Sequence, residues 1–261
     1  MSFTGKSPAD TYKDILNIDN SNSGVDSTAR IVESGNGSET AISLSDRSLY
    51  VKSNTNNSKA LNVANSAGST KFNVDTTNNQ VKALGHHVNT QYAYFGIGAD
   101  MQQTLVADTH YGIPFFGMAQ KVEGWIADFG TGTDPDTSFT TANTLSQKGS
   151  QLAGLLWYVP DNITIDAVYS IEGADQATGD TTRMHLYSYT FNSGSTSALA
   201  DGTLLAHNSD VTNAGSEQAY LSTWTIDSSS VAAGKVICAF FRSDSVNSDY
   251  TTNITVKYHL T

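Results

Sequence analysis

The sequence predicts an all-β chain, with an extended or briefly helical N-terminal anchor, a slender β-shaft and a jelly-roll β-sandwich, assembled as a trimer. Three observations carry this. Between residues 41 and 84 apolar residues recur in spaced pairs: Ile42 and Leu44, Leu49 and Val51, Leu61 and Val63, Phe72 and Val74, then Val81. Each such pair is a short strand with one apolar face, because side chains alternate along a strand. Longer alternations follow at Ile163, Ile165, Ala167, Tyr169 and Ile171, and at Ile254, Val256, Tyr258 and Leu260. Composition is the third: only 15% of the 261 residues are charged, while 12 Tyr, 10 Phe and 3 Trp supply material for a core, so the chain is not a disordered one.

The elements follow in order. Ser7-Pro8-Ala9-Asp10 reads as a helix start, with Ser7 as N-cap, Pro8 in the first helical position and Asp10 favouring the dipole. Tyr12, Ile15 and Leu16 would share one helical face. A helix of about two turns needs a partner surface, so residues 1–24 read either as an attachment peptide or as a cap on the chain's own shaft. Residues 25–85 are the shaft. Asn65-Ser-Ala-Gly68 and Asp75-Thr-Thr-Asn-Asn79 supply its turns. So little apolar surface per strand makes no core in one chain, and identical chains would have to bury their faces against each other.

Residues 86–112 read as a junction, and 113–261 as one head domain. Its candidate strands are 113–118, 122–128, 152–159, 163–171, 183–191, 219–226, 235–241 and 251–260, a number that suits a jelly roll. Leu155 to Val159 and Val236 to Phe241 are apolar on both faces. A sandwich strand normally wets its outer face, so these two predict a second interface and a closed ring of three chains.

The net charge is −11 and no basic run exists, which argues against nucleic-acid binding. The single cysteine, Cys238, rules out an intrachain disulfide and sits in an apolar strand as a small buried hydrophobe. No apolar run approaches the roughly 20 residues of a membrane span, and the N-terminus lacks a signal-peptide core. The expected setting is a protein made in a cytoplasm without membrane insertion, which for so extracellular a composition points to a virion component released by lysis.

Motifs for chemistry are sparse. There is no nucleophile elbow, Walker loop or GxGxxG after a strand, so no cofactor, resident metal or catalytic residue is expected. His86 and His87 are neighbours and would point to opposite faces of a strand; three copies of one of them on a threefold axis is the metal reading, a polar junction residue the plain one. His110, His185, His207 and His259 have no ligand spacing, and His185 reads as a packed residue beside Tyr187, Tyr189 and Phe191. Asp134-Pro-Asp136 resembles a calcium loop but lacks the later bidentate Glu. Asp128, Glu172, Asp175 and Asp180 are scattered, and a glycosidase pair among them would need a set separation. Tyr187, Tyr189, Tyr220 and Trp224 admit two readings: a sugar-stacking surface, or core and intersubunit packing.

The run from Phe3 to Asp26 (FTGKSPADTYKDILNIDNSNSGVD) resembles the opening of a group of tailed-phage virion proteins found among marine phages and described as tail-fibre, head-fibre or structural proteins. Phe72 to Val81 (FNVDTTNNQV) resembles the F-x-V-D repeat of phage fibre shafts. The resemblance covers roughly residues 3–90. It implies a docking element on which variable tips are mounted, with Phe3, Tyr12, Ile15, Leu16 and Ile18 as apolar anchors. The implied protein is a homotrimer on the virion. A short shaft favours capsid decoration, a head fibre or cement protein contacting capsid proteins. The alternative is a receptor-binding tail fibre or tailspike tip that contacts tail proteins and recognises host surface glycan.

Overall fold

The structure, a computed structural model, describes residues 15–21, 23–97, 105–115, 128–140, 152–175, 177–215, 217–247 and 249–261. The chain divides into two compact units, Met1–Val88 and Asn89–Thr261. Every strand pairing among the described residues is antiparallel, and every element with regular pairing is a strand.

The first unit holds two four-stranded sheets, each a meander in chain order. One comprises β1 (Leu16–Ile18), β2 (Arg30–Ser34), β3 (Glu39–Leu44) and β4 (Leu49–Val51). The other comprises β5 (Leu61–Ala64), β6 (Thr70–Asp75), β7 (Gln80–Ala83) and β8 (His86–His87). The apolar pairs of the sequence all fall in β3 to β7, and the turns form where turn residues stand. Ser34 to Ser38 and Asn65 to Ser69 make the same turn. In each the fourth residue, Gly37 or Gly68, donates its amide to the first residue's carbonyl, at 2.8 and 2.9 Å, with φ of 78° and 80°. That left-handed backbone is where glycine is least strained. The Asp75 carboxylate accepts the amides of Thr77 and Asn78, both at 3.0 Å, and so holds the turn into β7.

One expectation is overturned here. The helical face expected to include Leu16 is not formed there, because Leu16, Asn17 and Ile18 pair with Ser34, Glu33 and Val32 as a strand. A neighbouring sheet edge offers these residues ladder hydrogen bonds that an isolated two-turn helix lacks. Ser7 to Tyr12 lie outside the described residues.

The second unit contains β9 (Thr90–Ile97), β10 (Thr109–Ile113), β11 (Asp128–Thr131), β12 (Trp157–Tyr158), β13 (Ile163–Asp175), β14 (Thr181–Phe191), β15 (Leu199–His207), β16 (Val211–Thr212), β17 (Glu217–Thr223), β18 (Thr225–Ile226), β19 (Ser230–Val231), β20 (Lys235–Ser243) and β21 (Tyr250–Leu260). An eight-stranded sheet runs β11-β10-β20-β14-β15-β18, with β12 on β20 and β16 on β14. A five-stranded sheet runs β17-β13-β21-β9, with β19 on β13. The two sheets share one core: Phe95, Val168, Ile254 and Val256 from the smaller sheet pack with Ile113, Met184, Leu186, Ile237 and Phe241 from the larger.

A second core lies on the other face of the larger sheet. Tyr187, Tyr189, Val236, Cys238 and Phe240 are buried there under Phe129, Phe139, Leu152 and Leu155. This corrects the inference drawn from strands apolar on both faces. The cover comes from the chain's own segments around 128–140 and 152–155, so these strands do not call for a second subunit. Phe139 exchanges backbone hydrogen bonds with Leu199 at 2.9 and 3.3 Å, and Gly202 donates to the Thr137 carbonyl at 2.8 Å, which straps the first of these segments to β15. Strand limits differ from the alternation in places. Of the strand expected over 113–118, Ile113 belongs to β10 and Phe115 makes an isolated bridge to Phe95, while 116–118 lie outside the described residues; of 152–159 only Trp157 and Tyr158 pair. Residues 122–127 lie outside the described ones. Leu199–His207 is a strand that no clean alternation announced, and Thr90–Ile97 is a strand within the stretch read as a junction.

Candidate functional site

The first unit's sheets are amphipathic, and their apolar faces are uncovered. In the first sheet the register Ile18↔Val32, Ile42↔Val51 and Leu44↔Leu49 places these residues, with Leu16, on one face. In the second, Leu61↔Val74, Val63↔Phe72 and Val74↔Val81 do the same. Among the described residues of this unit no apolar side chain is buried; the buried ones are Gly35 and Asp75. Leu16 and Leu49 are 65% and 63% exposed, and Val63 is 53% exposed. A one-sided sheet of this length has no stability of its own without something packed on its apolar face.

Of the expected anchors, Ile15 and Leu16 are exposed and Ile18 is half-buried, on or beside β1; Phe3 and Tyr12 lie outside the described residues. His86 and His87 form β8, and His86 pairs with Ala83 at the edge of its sheet.

The proposed sugar-binding rings do not form a surface. Tyr187 and Tyr189 are buried in the second core, and Tyr189 donates its hydroxyl to the Asp136 carbonyl at 2.8 Å. Trp224 is buried between the sheets and donates its indole N–H to Ser170 Oγ at 2.9 Å. Tyr220 is half-buried and its hydroxyl contacts Gln218 Oε1 and the Thr212 carbonyl. Tyr189 and Trp224 went into the interior with their polar tips hydrogen-bonded. Three exposed tyrosines, Tyr92, Tyr94 and Tyr158, instead line a cleft of ≈ 640 Å³ together with Trp157 and Tyr258. Trp157 packs on Tyr258 with ring centres 4.9 Å apart, and Tyr258 donates to Gln91 Oε1 at 2.9 Å. Alternation in β9 and β21 carried the signal for this cleft, but residues 86–112 were read as a junction.

The acidic candidates are dispersed. Glu172 is buried between the sheets. Its Oε1 accepts the Thr182 hydroxyl at 2.6 Å, while Oε2 has no hydrogen-bond partner. Burial pushes its pKa up to about 7. Asp180 accepts the Tyr250 hydroxyl at 2.8 Å. Asp175, at the end of β13, raises the pKa of Glu217 across the strand pair by hydrogen bond and repulsion. No substrate reaches Glu172, which is 1% exposed, so it cannot serve as one of a glycosidase pair.

Two histidines sit against carboxylates: His259 Nδ1 is 3.0 Å from Asp166, and His207 Nδ1 is 2.8 Å from Asp227. His110 and His185 are wholly buried, and desolvation lowers both pKa values, that of His185 to about 2. The loop carrying Asp134 lies over them, with Asp134 Oδ1 3.5 Å from His185 Nε2. The Asp136 carboxylate turns instead towards Gly130, whose left-handed backbone (φ 96°) and missing Cβ leave it room. The two acids of this loop thus have different neighbours, Asp134 beside His185 and Asp136 beside Gly130. Cys238 is fully buried, and burial raises its thiol pKa. No helix among the described residues is long and apolar enough to cross a membrane. No protein-family model matches the chain, and no curated protein matches it.

Proposed function

We propose that this chain is a structural protein that assembles through its first unit, as the shaft of a homotrimeric virion decoration whose second unit is a projecting jelly-roll head. The carrying observation is that the apolar faces of both four-stranded sheets stay uncovered in one chain. About a dozen such side chains, each gaining roughly 1 kcal/mol as its burial is completed, amount to on the order of 10 kcal/mol. That is comparable with the cost of association. Identical chains carry identical faces, so a closed ring satisfies all of them at once. The resemblance of residues 3–90 to phage fibre proteins supports the virion as the setting. Three weak N-terminal anchors would then bind by avidity.

Sedimentation equilibrium of the purified chain tests the assembly: a mass three times that of the chain is expected, and a monomer at micromolar concentration refutes it. Deletion of residues 1–24 tests the anchor. A truncated trimer that still occupies virions fully would remove that role. The second reading, a receptor-binding tip for host glycan, is favoured by the exposed aromatic cleft. It predicts that Tyr92→Ala with Tyr158→Ala abolishes saccharide binding by the full chain, and binding that survives both changes would exclude this cleft.

A further inference from the structure

On the outer face of the eight-stranded sheet, β10 and β14 place His110 and His185 side by side, their rings meeting edge to face with centres 5.1 Å apart. His110 Nδ1 lies 3.2 Å from the Gly130 carbonyl. Since a carbonyl only accepts, that contact puts the proton on Nδ1 and leaves Nε2 as a lone pair. Nε2 has no hydrogen-bond partner, and neither ring nitrogen of His185 has one. Orphaned polar atoms in a buried setting are costly to the fold.

The distance from His185 Nε2 to Asp134 Oδ1, 3.5 Å, is too long for a good hydrogen bond. It matches two ligands of one tetrahedral ion, for which bonds of about 2.1 Å give a ligand separation of about 3.4 Å. The side chain of Asp134 is 50% exposed, which supplies an entry path and room for water ligands. Two guanidinium groups stand near and oppose a cation. Each has its own aspartate: Arg183 with Asp210 at 3.3 Å, and Arg242 with Asp108.

We propose that His185 Nε2 and the Asp134 carboxylate, with water in the remaining positions, bind a divalent transition-metal ion of the zinc type. Imidazole nitrogen with one carboxylate selects zinc, cobalt, nickel or copper over calcium and magnesium, which want oxygen. The ion ties the loop through Asp134 to the sheet beneath it and satisfies the buried imidazole.

The test uses the full chain, stripped with a chelator and titrated with cobalt(II) and zinc(II), followed by cobalt absorption and calorimetry. One ion per chain is expected, with a cobalt spectrum of nitrogen and oxygen ligands that zinc abolishes. Asp134→Asn, a change in an exposed loop, should weaken binding roughly tenfold or more, and His185→Gln should abolish it. No binding by the stripped chain overturns the proposal. Binding at parental strength by Asp134→Asn also overturns it, because the ion then sits on another histidine. Since Asp134→Asn decides alone, misfolding of the buried His185 variant would not leave the question open.

Discussion

Replacing Glu172 with glutamine should make the second unit more stable at neutral pH and leave it unchanged in acid. Glu172 is 1% exposed, accepts one hydrogen bond from Thr182 and has an unpartnered second oxygen. Its carboxyl therefore holds its proton more tightly folded than unfolded, with a pKa of about 7 against the ordinary 4.5. A raised acid contributes its full stability below the unfolded value. That contribution is lost as pH climbs through the folded value, because the folded state is then the one binding more protons. The loss amounts to roughly 3 kcal/mol between pH 4.5 and 7.5. Glutamine keeps an acceptor for Thr182 and cannot ionise. Urea unfolding of the full chain, read from the fluorescence of buried Trp157 and Trp224, gives both stabilities at each pH and one protein concentration. The gap between variant and parent should open by roughly 3 kcal/mol over that range. Parallel curves from acid to pH 8 would refute the argument, because ionisation of Glu172 would then cost the fold nothing.

Leu49→Asp changes a residue that is 63% exposed in one chain. A true surface site tolerates this within about 0.5 kcal/mol, so loss of the trimer in sedimentation would locate Leu49 between copies, and an unchanged assembly would move the interface elsewhere. Gly202→Ala sets a Cβ 2.7 Å from Thr137 Cα and from Tyr189 Cε1; a loss of roughly 1–3 kcal/mol in urea unfolding is expected, and a neutral result would mean the 128–140 strap yields freely. Cys238 should resist a thiol reagent in native buffer and react fully in concentrated urea, since its sulfur is buried and its thiolate disfavoured; rapid native labelling would show that the second core opens.

The short strands of the first unit were legible because each needs only local information: two apolar residues one position apart, then turn residues that accept the backbone a hairpin requires. Val63 and Phe72, for example, face each other across Asn65 to Ser69 as their spacing implies. The aromatic candidates were not legible in the same way. Tyr187 alternates along β14 as a wall residue or a surface residue would, and the segment that buries it lies far away in sequence, at Phe129, Phe139 and Leu152. His185 and Asp134 illustrate the same limit. Each was read as a feature by itself, a packed histidine and a loop acid, and the 3.5 Å between them exists only after the loop crosses the sheet.

By itself the sequence determined that the chain is all-β, which residues share a strand face, and that the faces of the first unit exceed what one chain buries. These follow from alternation and composition, which are local and additive. Tertiary structure alone decided that Leu16 to Ile18 join a sheet as a strand, that the doubly apolar strands are covered by their own chain, and that the rings grouped around a surface cleft include Tyr92, Tyr94 and Tyr158 while Tyr187 and Tyr189 are buried. Each of those outcomes depends on contacts between residues distant along the chain, and alternation reports only that a side chain has a face, never what comes to lie against it.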